Sequence, residues 1–199
     1  MTTSSIEHLP TARYRASHGG RAAVAVLDAT LAELEDRGYA AASLRTIAAR
    51  ADVPLETVFA KWRSKQHLVQ DAIQQLACRL PTPETGDLRS DLLQVTEALG
   101  ELLTFPGAAD VLRCLLAPAG SDGVSAGSTR IGLLAEPRAV IRRIVERGQR
   151  RQQCPTRLHP GLVADAIVGG LLYRVLISGD ALTRRTTAGL VDLLLTDDT

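Results

Sequence analysis

Apolar residues recur along this chain at helical spacing, and no stretch shows the sustained alternation of a half-buried strand. Residues 21–37 carry Val24, Leu27, Leu31 and Leu34 on one face, with Asp28 beside the stripe facing solvent. Gly38 then ends that helix as a C-terminal cap. A second strong period begins at Ser64 and brings Leu68, Val69, Ala72, Ile73, Leu76 and Leu80 to one side, before Pro81 and Pro83 stop it. Residues 88–103 form an amphipathic helix closed by Pro106-Gly107, and 108–117 a short apolar one. Residues 118–128, PAGSDGVSAGS, have the composition of a loop. Residues 130–151 make a long helix with a kink or restart at Pro137, and 155–160 a turn. Residues 161–178 are very apolar, and 183–195 form the last helix. The pattern predicts an all-α fold of about nine helices.

The densest information lies in residues 43–65, SLRTIAARADVPLETVFAKWRSK. Ser43 can cap a helix whose apolar stripe is Leu44, Ile47, Ala48 and Ala51. Asp52-Val53-Pro54 breaks it, and Pro54 suits the first position of the next helix. Val53 plugs the gap between the two, and Val58 and Trp62 face the core. Thr57, Ala60 and Lys61 fall on the exposed side, and the segment ends in Lys61-Trp62-Arg63-Ser64-Lys65. Two short helices around a tight turn, the second ending basic, is the layout of a helix-turn-helix.

Composition narrows the picture. The chain has 199 residues, 45% hydrophobic and 3% aromatic, so its core is aliphatic. The net charge of +1 excludes a bulk polyelectrolyte, so nucleic-acid affinity must come from a local basic cluster. Cys78, Cys114 and Cys154 form no CxxC pair, which points to reduced thiols, a cytoplasmic setting, and neither disulfide framework nor zinc site. The first twenty residues lack the apolar segment of a signal peptide. The stretch 162–177 is interrupted by Asp165 and Arg174 and is short for a membrane span, so no membrane partner is expected.

Candidate chemistry follows from position. Lys61, Arg63 and Lys65 are a solvated basic face or, at the end of a recognition helix, phosphate ligands. Arg45 is a surface charge or a groove contact. Leu55 and Glu56 start the second helix, where base edges are read: Leu can touch a thymine methyl and Glu can accept from a cytosine amino group, or both are bystanders. Trp62 packs in the core and fixes the angle between helices. Residues 1–20 form an arm whose Arg13, Arg15 and His18 either reach DNA or belong to a disordered leader. Asp165, Tyr173 and Arg174 line a cavity or a dimer seam, and Gly169-Gly170 lets a neighbouring helix approach. Cys114 reads as a small buried hydrophobe rather than a redox switch. The four histidines show no metal spacing. No catalytic constellation stands out, and no cofactor or enzyme activity is expected.

With these residues in place, the sequence resembles the TetR family of one-component bacterial regulators. The resemblance rests on Gly38-Tyr39, Ser43, Ile47-Ala48, Ala51-Asp52-Val53, Thr57-Val58-Phe59, Trp62, Lys65 and Leu68, and covers residues 21–76. Beyond them, PTPETGDLRSDLL, VERG at 145–148 and GGLLYRVLISGD look like one of the family's helical effector-binding domains. Asp52 stands where the family usually has Gly, and Phe59 where it usually has a phosphate-binding Tyr.

The arm's composition and the PTPETGD punctuation divide the chain into a flexible basic arm (1–20), a helix-turn-helix domain (21–80) and a further helical domain (81–199), which the resemblance implies is for effector binding and dimerisation. The resemblance further implies a homodimeric repressor on a near-palindromic double-stranded DNA operator, released by a small-molecule effector. The expected DNA-binding residues are Arg45, Leu55, Glu56, Thr57, Lys61 and Lys65. A dimer seam is expected at Gly169, Gly170, Tyr173, Leu190 and Leu194. Scarce aromatics suggest an aliphatic pocket and an apolar effector. Phe59 keeps a second reading open, that of a helical carrier of hydrophobic ligands with little DNA binding.

Overall fold

The computed structural model describes the backbone of residues 20–116 and 125–196, and side chains over 20–113 and 134–196. The arm before Gly20, most of the expected loop at 118–128, and the Cys114 side chain lie outside the described residues. Among the described residues there are nine α-helices and no strand. They are α1 (Arg21–Ala41), α2 (Leu44–Arg50), α3 (Leu55–Lys61), α4 (Lys65–Ala77), α5 (Leu88–Thr104), α6 (Ala108–Leu116), α7 (Ser125–Arg150), α8 (Pro160–Tyr173) and α9 (Arg184–Leu195). A single π-turn, Arg174–Ser178, extends α8 and ends at Gly179 in the left-handed conformation. The long helix begins at Ser125, inside the expected loop, and runs on through Pro137.

The residues form two compact units, and the break is not single. Helices α1–α4 belong to the first and α5 to the second, with the change between Arg79 and Leu80. The segment starting at Phe105 then returns to the first unit, taking α6 with it. By packing, the expected 81–199 domain thus lends α6 to the first unit. The cause is apolar: Ala108, Val111 and Leu112 are buried, and α6 packs on α4. At the start of α6, Gly107 (φ 89°) lies so close to Leu34 and Tyr39 that a Cβ there would stand 3.5 and 3.4 Å from their side chains.

In the first unit, α1 buries a wider face than its leucine stripe indicated, including Val26, Thr30 and Glu33. Non-helical geometry at Gly38 (φ 73°) interrupts α1 where the cap was expected. Asp28 does not simply face solvent. It accepts from Gln75 Nε2 at 2.9 Å and Arg79 Nη2 at 2.8 Å, tying α1 to α4. Gln75 is buried, so this bond satisfies a donor that would otherwise cost about 1–3 kcal/mol.

In the second unit, α5 packs on α7 and α9, and α8 lies on α7. Leu92, Val95, Leu99, Ile141, Ile144, Ile167 and Val191 fill the centre. The PTPETGD turn is fastened rather than loose. The buried Asp91 carboxylate accepts from Thr85 N and Oγ1 at 2.8 and 2.7 Å and faces Arg147 at 3.5 Å. Arg147 also reaches Glu84 and the Pro83 carbonyl. Gln153 accepts from Leu88 N at 3.1 Å and donates to Gly86 O at 2.6 Å. Two exposed bidentate pairs set helix register: Arg138 with Asp165 joins α7 to α8, and Arg89 with Asp192 joins α5 to α9. The hydrogen bonds from these arginines hold both carboxyl groups below the usual carboxylate range.

The VERG segment matters for one close approach. A Cβ on Gly148 would stand 2.8 Å from both Leu88 Cδ atoms. Leu88 is itself buried, so it has no free space to yield. Gly148→Ala is therefore expected to lower stability by about 1–3 kcal/mol, the usual cost of overpacking. Chemical denaturation of the variant, alone and with Leu88→Ala, checks this: the second change should recover part of the loss.

Candidate nucleic-acid interface

The helix-turn-helix is built by its caps. Ser43 Oγ accepts from Thr46 N at 3.1 Å, and Thr46 Oγ1 accepts from Ser43 N at 3.1 Å. This reciprocal box satisfies two of the free donors at the start of α2. Ile47 and Ala48 are buried beneath it. At the other end Asp52 adopts φ 52°, the left-handed conformation. Asp52 N then donates to Ala49 O, and Val53 N to Ala48 O. That pair of bonds is the Schellman termination, made here with Asp in the position that favours glycine. Val53 is half-buried between the helices. Pro54 precedes α3 as its cap (ψ 141°) rather than opening its first turn.

Helix α3 has 7 residues and buries only Val58. Glu56, Thr57, Phe59, Ala60 and Lys61 are exposed, and Leu55 is half-buried. Trp62 follows directly, 1% exposed, with Nε1 donating to Asp71 Oδ2 at 2.8 Å. Val58 is buried and Trp62 is bonded to Asp71 of α4, which holds one side of the helix and leaves the other side outward. The Lys61 ammonium lies 5.0 Å from the centre of the Trp62 ring, at the C-terminal end of α3. Arg45 and Arg63 are exposed.

Lys65 is placed differently from the phosphate ligand that its position suggested. Its ammonium donates to the Tyr39 carbonyl at 2.8 Å and lies 4.5 Å from the centre of the Tyr39 ring. The charge closes the end of α1 against the start of α4, where free carbonyls and the helix dipole favour a cation. Sequence reasoning also missed Glu33. It is buried on α1, with Arg50 of α2 at 3.3 Å and Arg37 at 3.7 Å, and Arg50 also reaches Asp36 at 2.6 Å. The available signal was its spacing: Thr30, Glu33 and Leu34 share one side of α1, next to the leucine stripe.

The expected seam residues separate into two groups. A Cβ on Gly169 would meet nothing within 4 Å, and Tyr173 is exposed. Gly170 instead faces Leu190 of its own chain, whose Cδ2 would be 3.3 Å from a Cβ. The close approach allowed by Gly170 is thus made by α9 of the same protomer, and Leu190 is half-buried in it. Leu194 is half-buried too. The helical run Pro160–Ser178 has 19 residues and mean hydropathy 1.6, long and apolar enough to cross a bilayer by length and composition alone. It carries the Asp165–Arg138 ion pair to α7.

A half-open cleft of about 160 Å³ lies between α5 and α9. Glu97, Gly100, Glu101, Thr104, Leu182, Thr183, Arg184 and Thr187 line it, a mixed polar and apolar wall. Among the described residues no group of three His, Cys, Asp or Glu side chains is arranged to hold a metal ion.

Comparison with known proteins agrees with this geometry. Residues 26–72 match the family described as bacterial regulatory proteins, tetR family. Residues 82–194 match the tetracyclin repressor-like C-terminal domain. The chain belongs to the TetR family of transcriptional regulators. It is a helix-turn-helix regulator and not an enzyme. It is 28% identical over 157 residues to the helix-turn-helix-type transcriptional regulator YdeS of Bacillus subtilis, covering 78% of this chain and 79% of that one. It is 24% identical over 156 residues to the regulator AqdR of Rhodococcus erythropolis, covering 78% and 74%. The fold resembles the TetR family regulator SCO0332 with a TM-score of 0.70 at 24% identity, covering 88% of this chain and 97% of that one. It also resembles the regulator FadR of Bacillus subtilis, solved with stearoyl-CoA, with a TM-score of 0.61 at 16% identity over 87% and 97%.

The strain at Asp52 gives a direct check of the turn. Asp52→Val should destabilise the first unit by about 1–2 kcal/mol, the cost of a left-handed conformation for a residue with a bulky Cβ. Asp52→Gly should be neutral or slightly stabilising. Thermal unfolding of both variants measures the difference.

Proposed function

We propose that the protein is a repressor that binds a near-palindromic operator as a homodimer and leaves it on binding a small apolar molecule. One observation carries the DNA-binding reading: α3 turns Glu56, Thr57, Phe59, Ala60 and Lys61 to solvent while Val58 and Trp62 hold it from behind. In this reading the start of the helix, with Leu55 and Glu56, meets base edges. Thr57, Lys61 and Arg45 bind phosphates, and Lys65 acts indirectly by locking α4 to α1. The seam uses the exposed apolar side chains Leu162, Tyr173, Ile177 and Leu193 together with the open backbone at Gly169. Such a patch favours pairing with a symmetry mate. An apolar effector agrees with the aliphatic composition of the second unit, and a fold neighbour is solved with stearoyl-CoA. The reduced thiols and the regulatory role fit the cytoplasm.

A gel-shift against the DNA flanking the protein's own gene tests the reading. Specific retardation is the expected result. The competing reading, a carrier of hydrophobic ligands, draws on the absence of a hydroxyl at Phe59 and expects no specific retardation.

Two further outcomes are expected. Lys61→Ala should weaken binding to all duplexes by a similar factor and reduce the salt slope by about 1, since a phosphate contact carries no sequence information. Lys65→Ala should instead lower stability by about 1.5–3 kcal/mol, the range for a hydrogen bond to a charged group. Filter binding across salt concentrations and denaturation curves separate the two. For the seam, Gly169→Glu should shift the protein from dimer to monomer in sedimentation equilibrium, with its helical signal unchanged.

A further inference from the structure

We propose that Phe59 is a specificity-determining residue that contacts a thymine methyl group in the major groove. Each half-site of the operator then contains a thymine whose 5-methyl group is needed for tight binding. The proposal rests on the DNA-binding reading above and goes beyond it by naming what one flank of α3 recognises.

Helix geometry sorts the side chains of α3 by direction. Successive residues turn by about 100° around a helix. Val58 marks the inward direction, because it is the buried residue of α3. Glu56 and Ala60 then lie opposite it, at the outermost edge. Thr57 and Lys61 fall on one flank, a hydroxyl and an ammonium one turn apart. Leu55 and Phe59 fall on the other flank, both apolar and also one turn apart. The two flanks of the same short helix therefore have opposite chemistry.

The polar flank suits phosphate oxygens, whereas the apolar flank offers them nothing. A phenyl ring pressed on a phosphate strips water from an anion and returns no hydrogen bond, which is costly. Leu55 is half-buried, but Phe59 is 50% exposed, so half of its surface is left for a partner. Among the base-pair edges in the major groove, the thymine 5-methyl is the apolar group that a phenyl ring can cover. Ala60, beside it at the outer edge, is small and exposed, and lets the helix backbone come close to the bases. Val58 is buried and Trp62 donates to Asp71, so two anchors of the helix remain when the Phe59 ring is altered.

The test uses duplexes selected by the full-length protein from a random double-stranded pool. Each thymine of the selected half-site is replaced in turn by deoxyuridine, which removes the methyl and leaves base pairing intact. Loss of one contacted methyl should weaken binding about fourfold, the worth of one buried methyl group. The loss should fall at symmetry-related positions of the two half-sites. Phe59→Ala should bind the thymine and uracil duplexes equally and keep the helical signal of the wild type. Wild-type binding that is insensitive to uracil at every position would overturn the proposal while leaving the DNA-binding reading standing. So would a Phe59→Tyr protein that binds every duplex more tightly by one common factor, since that places the ring at the phosphates. Failure to select any duplex would overturn both readings together.

Discussion

A recognition helix of 7 residues with one buried side chain cannot hold itself. Isolated helices this short are unstable in water, because nucleation costs more than so few hydrogen bonds return. Everything around α3 answers that constraint. The Schellman turn at Asp52 fixes where it starts, Val58 seats it, and Trp62 takes over where its last turn ends. The indole N–H is satisfied by Asp71, so the aromatic anchor can be buried without an orphaned donor. What remains is a helix whose outward side chains are exposed, which is the condition for reading a DNA groove.

The supports of α3 are themselves tied together by charge. Arg50, at the end of α2, reaches Asp36 and the buried Glu33 of α1. Lys65, at the start of α4, reaches the end of the same helix. Helix α1 thus serves as the frame to which both neighbours of the recognition helix are fixed. A buried carboxylate such as Glu33 is not primarily a source of stability, because its desolvation offsets much of what Arg50 returns. Its effect is to specify one arrangement of α1 and α2. In the second unit the same division holds: the aliphatic core supplies the stability, and the exposed Arg138–Asp165 and Arg89–Asp192 pairs set register.

Local signals were the most legible part of the sequence. Ser43 caps its helix, Gly38 interrupts α1, and Trp62 is buried, because caps, breaks and periodicity act over a few residues. The all-α class followed from the absence of alternation. Contacts between distant residues were not legible. Nothing local shows that Lys65 turns inward to Tyr39, or that Asp28 is met by Gln75 and Arg79 from 47 and 51 residues away. Gly170 was recognised as a place of close approach, but sequence cannot say whose helix approaches, and it is Leu190 of the same chain. Helix α6 lies within the expected C-terminal domain, and only its long-range contacts show that it packs with the first unit.

Entry of the outward face of α3 into the major groove is the step on which the whole functional reading turns. A photoreactive side chain at position 60 tests it most directly, because Ala60 is small, exposed and at the outer edge of the helix. The protein would be irradiated on a duplex that it has itself selected, and the crosslinked bases would be mapped. Crosslinks to base edges of the major groove, at symmetry-related positions in two half-sites, are the expected result. Crosslinks confined to the sugar-phosphate backbone, or none at all on a duplex the protein demonstrably binds, would contradict it.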